Sequence, residues 1–254
     1  MRRDDATATA SDAQSKVAET GVKGMIPIKR PFLEYVISAL ADAGLSEVVL
    51  VLGPEHDAVR RHFTVDMPPA RVRIRFGLQE EPRGTADAVR AAADVIGTDP
   101  FLVLNADNYY PIEAYRRLAA EPTAATIAFD RDALVRESNI DPERVRSFAV
   151  LDVSDDEQLL GIIEKPGDSL DLSSASARWV GMNCWAVTAE VVDACRRVPL
   201  SSRGEYELPE AVGLAIREGV YVRAPKMEAG VLDLSRRSDI ATVTAALESI
   251  DPVI

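Results

Sequence analysis

The chain has 254 residues, 47% hydrophobic and 28% charged, which is ordinary for a water-soluble globular protein and enough for one large α/β domain. Its net charge of −12 supplies no basic excess to neutralise a nucleic-acid backbone, so nucleic acid is not an expected partner. Its two cysteines, Cys184 and Cys195, are too few for a disulfide framework and lack metal-ligand spacing, so a reducing, cytoplasmic location is expected.

Residues 1–20 are rich in Ala, Thr, Ser and Asp without apolar period and read as a mobile loop or tail. Regular patterning begins near Lys23. Pro31 opens a helix with Leu33, Val36, Ile37 and Leu40 at i, i+3, i+4 and i+7, and Gly44 ends it. A buried strand follows at 48–52, then a helix around 55–63 whose His56 and His62 are expected on a solvated face. A strand at 72–76 comes next. A helix starts near Thr85, its expected N-cap, and puts Ala86, Val89, Ala93 and Ile96 on one face. The apolar run 101–104 completes the alternation, the pattern of a parallel sheet covered on both faces. After Ala124 the strands 124–129, 149–153, 159–163 and 179–187 have fewer helices between them, so this half is expected to be mixed or partly antiparallel. Two helices close the chain, carrying Leu208, Val212 and Ile216, then Ile240, Val243 and Leu247. No apolar run is long enough to span a membrane.

Chemistry concentrates where strands end. Asn105-Ala106-Asp107-Asn108 directly follows the 101–104 strand. Open α/β sheets bind ligands at the carboxyl ends of their strands. A carboxylate there suits Mg²⁺, which takes few protein oxygens and shares the rest with phosphates; equally, Asp107 and Asn108 could only open a loop. Gln79, Gly84 and Thr85 lie between a strand and a helix. There Gly84 permits close backbone approach, and the amide of Gln79 could read a nucleobase, unless the stretch is an ordinary capped loop. Lys23 could neutralise a phosphate. Glu164 and Lys165, ending the 159–163 strand, suit a sugar hydroxyl and a phosphate, or form a surface pair. Asp233 sits inside the short apolar run 231–234, as a strand-end cap or a second metal ligand. Neither a dinucleotide fingerprint nor a P-loop is present.

In order and spacing, these segments resemble the sugar-1-phosphate nucleotidyltransferases, such as glucose-1-phosphate thymidylyl- and uridylyltransferases. The matching pieces are Lys23-Gly24-Met25-Ile26-Pro27-Ile28, Gln79 with Gly84-Thr85-Ala86, Leu104 to Asn108, Glu164-Lys165-Pro166, Gly181 and Leu232-Asp233. The resemblance implies a three-layer, Rossmann-like α/β fold with a mixed, mainly parallel sheet. It forms one domain over 21–254, with a nucleotide-binding half at about 21–125 and a sugar-phosphate half at 126–254. It further implies synthesis of an NDP-sugar and pyrophosphate from a nucleoside triphosphate (dTTP or UTP) and a sugar 1-phosphate, with a homo-oligomer among the expected assemblies. Asp107 and Asp233 would hold Mg²⁺, and Lys23 would steady the phosphates. Gln79, Gly84, Thr85 and Asp107 would bind the nucleotide; Glu164, Lys165 and Gly181 would bind the sugar phosphate. The alternatives are a non-catalytic nucleotide-sugar sensor and a glycosyltransferase. The family's Gly-rich loop ending in Gly-Thr-Arg is absent, and Met1-Arg2 is similar to the end of such a segment. The sequence is therefore expected to begin inside a longer chain, and as it stands to be weakly active or inactive.

Overall fold

The computed structural model describes residues 22–164, 166–167 and 177–254, together with Gln14, Val17, Asp171 and Ser174. The expected mobile stretch 1–20 lies outside the described residues except for Gln14, whose amide donates to the Pro27 carbonyl at 2.8 Å, and Val17, which packs against the core.

The first half alternates as its pattern predicts. A 3₁₀ turn, Lys23–Met25, leads to α1 (Phe32–Asp42), β1 (Glu47–Leu52), α2 (Asp57–Arg61), β2 (Arg73–Leu78), α3 (Thr85–Ile96) and β3 (Phe101–Leu104). A two-residue strand β4 (Asn108–Tyr109) and α4 (Ile112–Ala120) lead into β5 (Ala124–Asp130), every residue of which is buried. The second half contributes α5 (Arg131–Arg136), β6 (Ala149–Val153), β7 (Leu159–Ile163), β8 (Trp179–Val187), α6 (Ala189–Arg197) and α7 (Leu208–Arg217). Short strands β9 (Val222–Arg223), β10 (Lys226–Met227) and β11 (Leu232–Asp233) precede α8 (Asp239–Leu247).

β8 is the hub. It pairs antiparallel with β3, β5 and β6, and β6 pairs antiparallel with β7. β9 and β10 run parallel to β5. The sheet is thus mixed in the half where helix alternation lapses. β1 and β2 form a separate parallel ladder, and β4 pairs antiparallel with β11.

The period of two along β5 and β8 divides the interior into two apolar layers. Ala125, Ile127 and Phe129 of β5, with Met182 and Cys184 of β8, face the layer holding α1, α4 and α8. Ala124 and Ala128, with Trp185 and Val187, face α3, α6 and α7. Helix, sheet and helix therefore stack in three layers.

His62 departs from its expected solvated position. It approaches Glu34 Oε1 at 2.7 Å, and Arg30 also pairs with Glu34, a carboxylate that α1 buries almost completely. The helical period that exposes one face of α2 says nothing of α1 lying against it, so the sequence pattern hides this contact. Among the described residues no helix is long and apolar enough to cross a membrane.

Candidate active site

The site is built at the carboxyl end of β3. Beyond Leu104 the chain turns, and the Asp107 carboxylate meets the Lys23 ammonium at 2.6 Å. Both side chains are partly exposed, so the pair lies at a cleft surface. The 3₁₀ turn presents Lys23 from far away in sequence.

β11 brings the second carboxylate. Asp233 pairs with Asn108 across the β4–β11 ladder, and the Leu234 N–H donates to the Asp107 carbonyl at 2.8 Å. Asp233 is deeply buried, and burial pushes its carboxyl above the usual range; the Ser235 hydroxyl and the Arg144 guanidinium pull it back, while Asp107 and Asp239 push it up. The ladder and the Leu234–Asp107 hydrogen bond set the two expected metal ligands in one locale.

A frame holds Asp233 in place. Arg144 donates through Nη2 to Asp233 Oδ2 and through Nη1 to Asp239 Oδ1, both at 2.8 Å and all three groups buried. Asn139 donates to the Asp233 carbonyl at 2.7 Å and accepts from its N–H at 2.8 Å. The Ser235 hydroxyl donates to Oδ1. Sequence reasoning did not find Arg144, Asn139, Ser235 or Asp239 as site residues, because their roles come from long-range packing and none sits in a motif.

The Gln79–Thr85 loop stands at the end of β2. Gly84, at φ +111°, is the residue before α3, and Gln79 Nε2 donates to its carbonyl at 3.0 Å and to Asp87 Oδ2 at 3.1 Å. The expected Thr85 cap of α3 is not formed; Gly84 takes the cap position and leaves Thr85 as the first helical residue. Its hydroxyl instead accepts from the Leu208 N–H at 2.9 Å, at the start of α7. A side chain that caps one helix cannot be told from sequence when it serves a second, distant one.

Of the expected sugar-phosphate residues, Gly181 lies within the β6–β8 ladder and Glu164 directly follows β7. Ala149 of β6 pairs with Gly181 of β8. Continuing the β6–β7 register from Val150 and Ile163 by one residue sets Glu164 opposite Ala149. β8 runs antiparallel to β3 with Cys184 opposite Leu104, so Gly181, earlier in β8, lies beyond the carboxyl end of β3. Lys165 lies outside the described residues. Among the described residues no three His, Cys, Asp or Glu side chains converge on a metal-sized position.

A model of the nucleotidyl transferase family matches residues 18–246. The chain is 25% identical over 228 residues to the low-salt glycan biosynthesis nucleotidyltransferase Agl11 of Haloferax volcanii, covering 88% of this chain and 59% of that protein. It is 27% identical to the UTP–glucose-1-phosphate uridylyltransferase AglF of the same organism, covering 88% and 86%. It is also 27% identical to a glucose-1-phosphate thymidylyltransferase of Streptomyces griseus, covering 93% and 63%. It thus spans less than two thirds of two of these three relatives. Among solved structures, UDP-glucose pyrophosphorylase complexed with UDP-glucose superposes with a TM-score of 0.71 at 14% identity, covering 90% of this chain and 91% of that one. UTP-bound UGPase from Acinetobacter baumannii gives 0.72 at 18%, covering 91% and 87%. These likenesses establish the shared three-layer α/β fold.

Proposed function

This chain belongs to the nucleotidyl transferase family, and from that premise we propose that it makes an NDP-sugar from a nucleoside triphosphate and a sugar 1-phosphate. The observation that carries the reading is the meeting of Lys23, Asp107 and Asp233 at the carboxyl end of β3, beside the row of Glu164 and Gly181. A sugar-phosphate oxygen attacks the α-phosphorus, a new P–O bond forms, and the bond to the β-phosphate oxygen breaks as pyrophosphate leaves. The attacking oxygen is already an anion, so the step needs no general base. Alignment and charge neutralisation carry the rate.

Each role rests on chemistry the chain presents. Lys23 neutralises phosphate charge and exchanges its Asp107 partner for it. Gln79, Gly84 and Thr85 receive the nucleotide at the head of α3, and Asp107 meets its phosphates. Glu164 accepts from sugar hydroxyls, Gly181 lets β8 pack closely on Leu151 and Ala149 beside them, and Lys165 supplies a cation for the sugar's phosphate. A divalent metal is typical of the family, and the donor set here fits Mg²⁺. Two mutually repelling carboxylates retain lone pairs beyond those given to Lys23, Arg144 and Ser235, and Mg²⁺ completes its shell with phosphates and water. Asp107 and Asp233 would hold that ion, which would supply charge neutralisation at the phosphates.

The test mixes the protein with Mg²⁺, a panel of nucleoside triphosphates and a panel of sugar 1-phosphates, and follows pyrophosphate. Release should require one member of each panel, and Asp107→Asn should lower kcat by about 100- to 1000-fold. A folded protein that releases no pyrophosphate with any pair overturns the proposal. Calorimetric binding of a nucleotide sugar without turnover would then mark a sensor, and release of a nucleoside diphosphate from a nucleotide sugar a glycosyltransferase.

A further inference from the structure

Among the described residues two other than glycine take a positive φ: Glu157, at +65° between β6 and β7, and Asn183, at +54° inside β8. A connection accommodates such a backbone; a strand interior does so only where its regular pairing breaks. Asparagine is one of the few side chains that tolerate the left-handed region. The ladders show where the break lies. Thr126 of β5 stands opposite Trp185 of β8, and Ala128 opposite Gly181, so two steps of β5 face four of β8. The surplus residues of β8 form a bulge, a device that re-aims a side chain and is common beside active sites.

Buried hydroxyls hold this bulge in place. Tyr110 donates to the Met182 carbonyl at 2.6 Å and reaches the Asn183 carbonyl at 3.2 Å, and Thr126 donates to the Cys184 carbonyl at 2.9 Å. Both side chains are fully buried. Three successive carbonyls at the break thus have a donor from outside the ladder, as buried peptide groups require. Glycine would meet the positive φ at no steric cost. The asparagine therefore brings something the backbone does not require, a carboxamide.

The neighbouring ladders fix where that carboxamide stands. Cys184 is opposite Leu104, the last residue of β3, so Asn183 lies at the head of the turn from Asn105 to Asp107. Gly181, two residues earlier in β8, pairs with Ala149 of β6. Asn183 is thus set between the carboxylate proposed to meet the phosphates and the strands proposed to meet the sugar. It lines one cavity with Lys23, Asn105 and Asp107. The Trp185 indole N–H approaches Asn183 Oδ1 at 3.5 Å. An indole only donates, which sets the amide oxygen towards it and the Nδ2 group away. Among the described residues no protein group accepts from Nδ2.

We propose that Asn183 is a specificity-determining residue of this chain, its Nδ2 group donating to a hydroxyl oxygen of the sugar 1-phosphate. The inference rests on the reaction proposed above. A donor recognises an acceptor, so the preferred sugar carries a hydroxyl at this point. An analogue with hydrogen in its place leaves the amide unpaired and is rejected. Because the bulge is pinned through its carbonyls, the donor is held ready before the sugar arrives.

Asn183→Gly tests it, since glycine keeps the positive φ and removes only the carboxamide. Pyrophosphate release is followed with the sugar 1-phosphate that the wild-type protein uses and with its singly deoxygenated analogues, beside thermal unfolding of both proteins. In the wild-type protein one analogue should lose about 10-fold in kcat/KM. In Asn183→Gly the parent sugar should fall to the level of that analogue, with KM for the nucleoside triphosphate and the thermal midpoint unchanged. The same ranking of sugar and analogues in both proteins overturns the proposal. So does a lowered midpoint with both KM values raised together, which marks the asparagine as a support of the bulge alone. A wild-type protein that turns over no pair refutes the reaction instead. Calorimetry with UDP-glucose and dTDP-glucose then replaces turnover: a Kd raised about 10-fold in Asn183→Gly upholds the contact, and an unchanged or undetectable affinity overturns it.

Discussion

Arg144 carries two buried carboxylates on one guanidinium, and its planar fork fits that task as a lysine would not. Its loss leaves Asp233 and Asp239 without their shared cation. Arg144→Met should therefore cost about 3–5 kcal/mol in urea unfolding, and adding Asp233→Asn with Asp239→Asn should restore most of it. At this scale the sequence was partly legible. Lys23 and Asp107 stand at strand and turn boundaries, where local pattern marks them, and the fold brings them to 2.6 Å. Asn139 and Arg144 stand in a stretch without motif or period, and their meaning is fixed by β11, which arrives much later in the chain.

Helix ends show the same division between local and distant partners. Asp130 caps α5 locally, accepting from the N–H groups of Asp132 and Ala133, with Arg178 on its other oxygen. Burial alone would raise its carboxyl, but the Ala133 N–H and Arg178 outweigh it and hold it below the usual range. The sign follows: a depressed native value gives stability that is present above the ordinary aspartate range and lost as pH falls through that native value. Asp130→Ala should lower unfolding free energy by about 1–2 kcal/mol at neutral pH, and the gap should shrink towards zero in acid. Gly84 is the counterpart at α3. A Cβ there would stand 2.4 Å from the Tyr206 carbonyl, at a positive φ. The seam it would open is Ala86 N–H to Tyr206 carbonyl, Tyr206 N–H to Arg83 carbonyl and Leu208 N–H to Thr85. Gly84→Ala should lower the thermal midpoint and raise KM for the nucleotide more than for the sugar phosphate. Alternating elements before Ala124 were legible because β1 and β3 are apolar runs and α1 and α3 keep their period. α6 was not, since a short helix after a long strand offers little period to read.

Across the whole molecule, the site joins pieces that local pattern cannot connect. β8 was legible as a strand, yet its three antiparallel ladders to β3, β5 and β6 follow from no feature of its own sequence. The proposed cation couples these pieces: Mg²⁺ should raise the thermal midpoint of the protein by mass action, and Asp233→Asn should abolish the rise. Chelation should remove pyrophosphate release, and added Mg²⁺ should restore it. The β4–β11 ladder has one more consequence. A ribosome adding about 5–20 residues per second exposes Asp107 many seconds before Asp233, and Asp239, the second carboxylate of the Arg144 fork, emerges after both. The proposed site is therefore completed late, only once β11 has been made and has paired with β4.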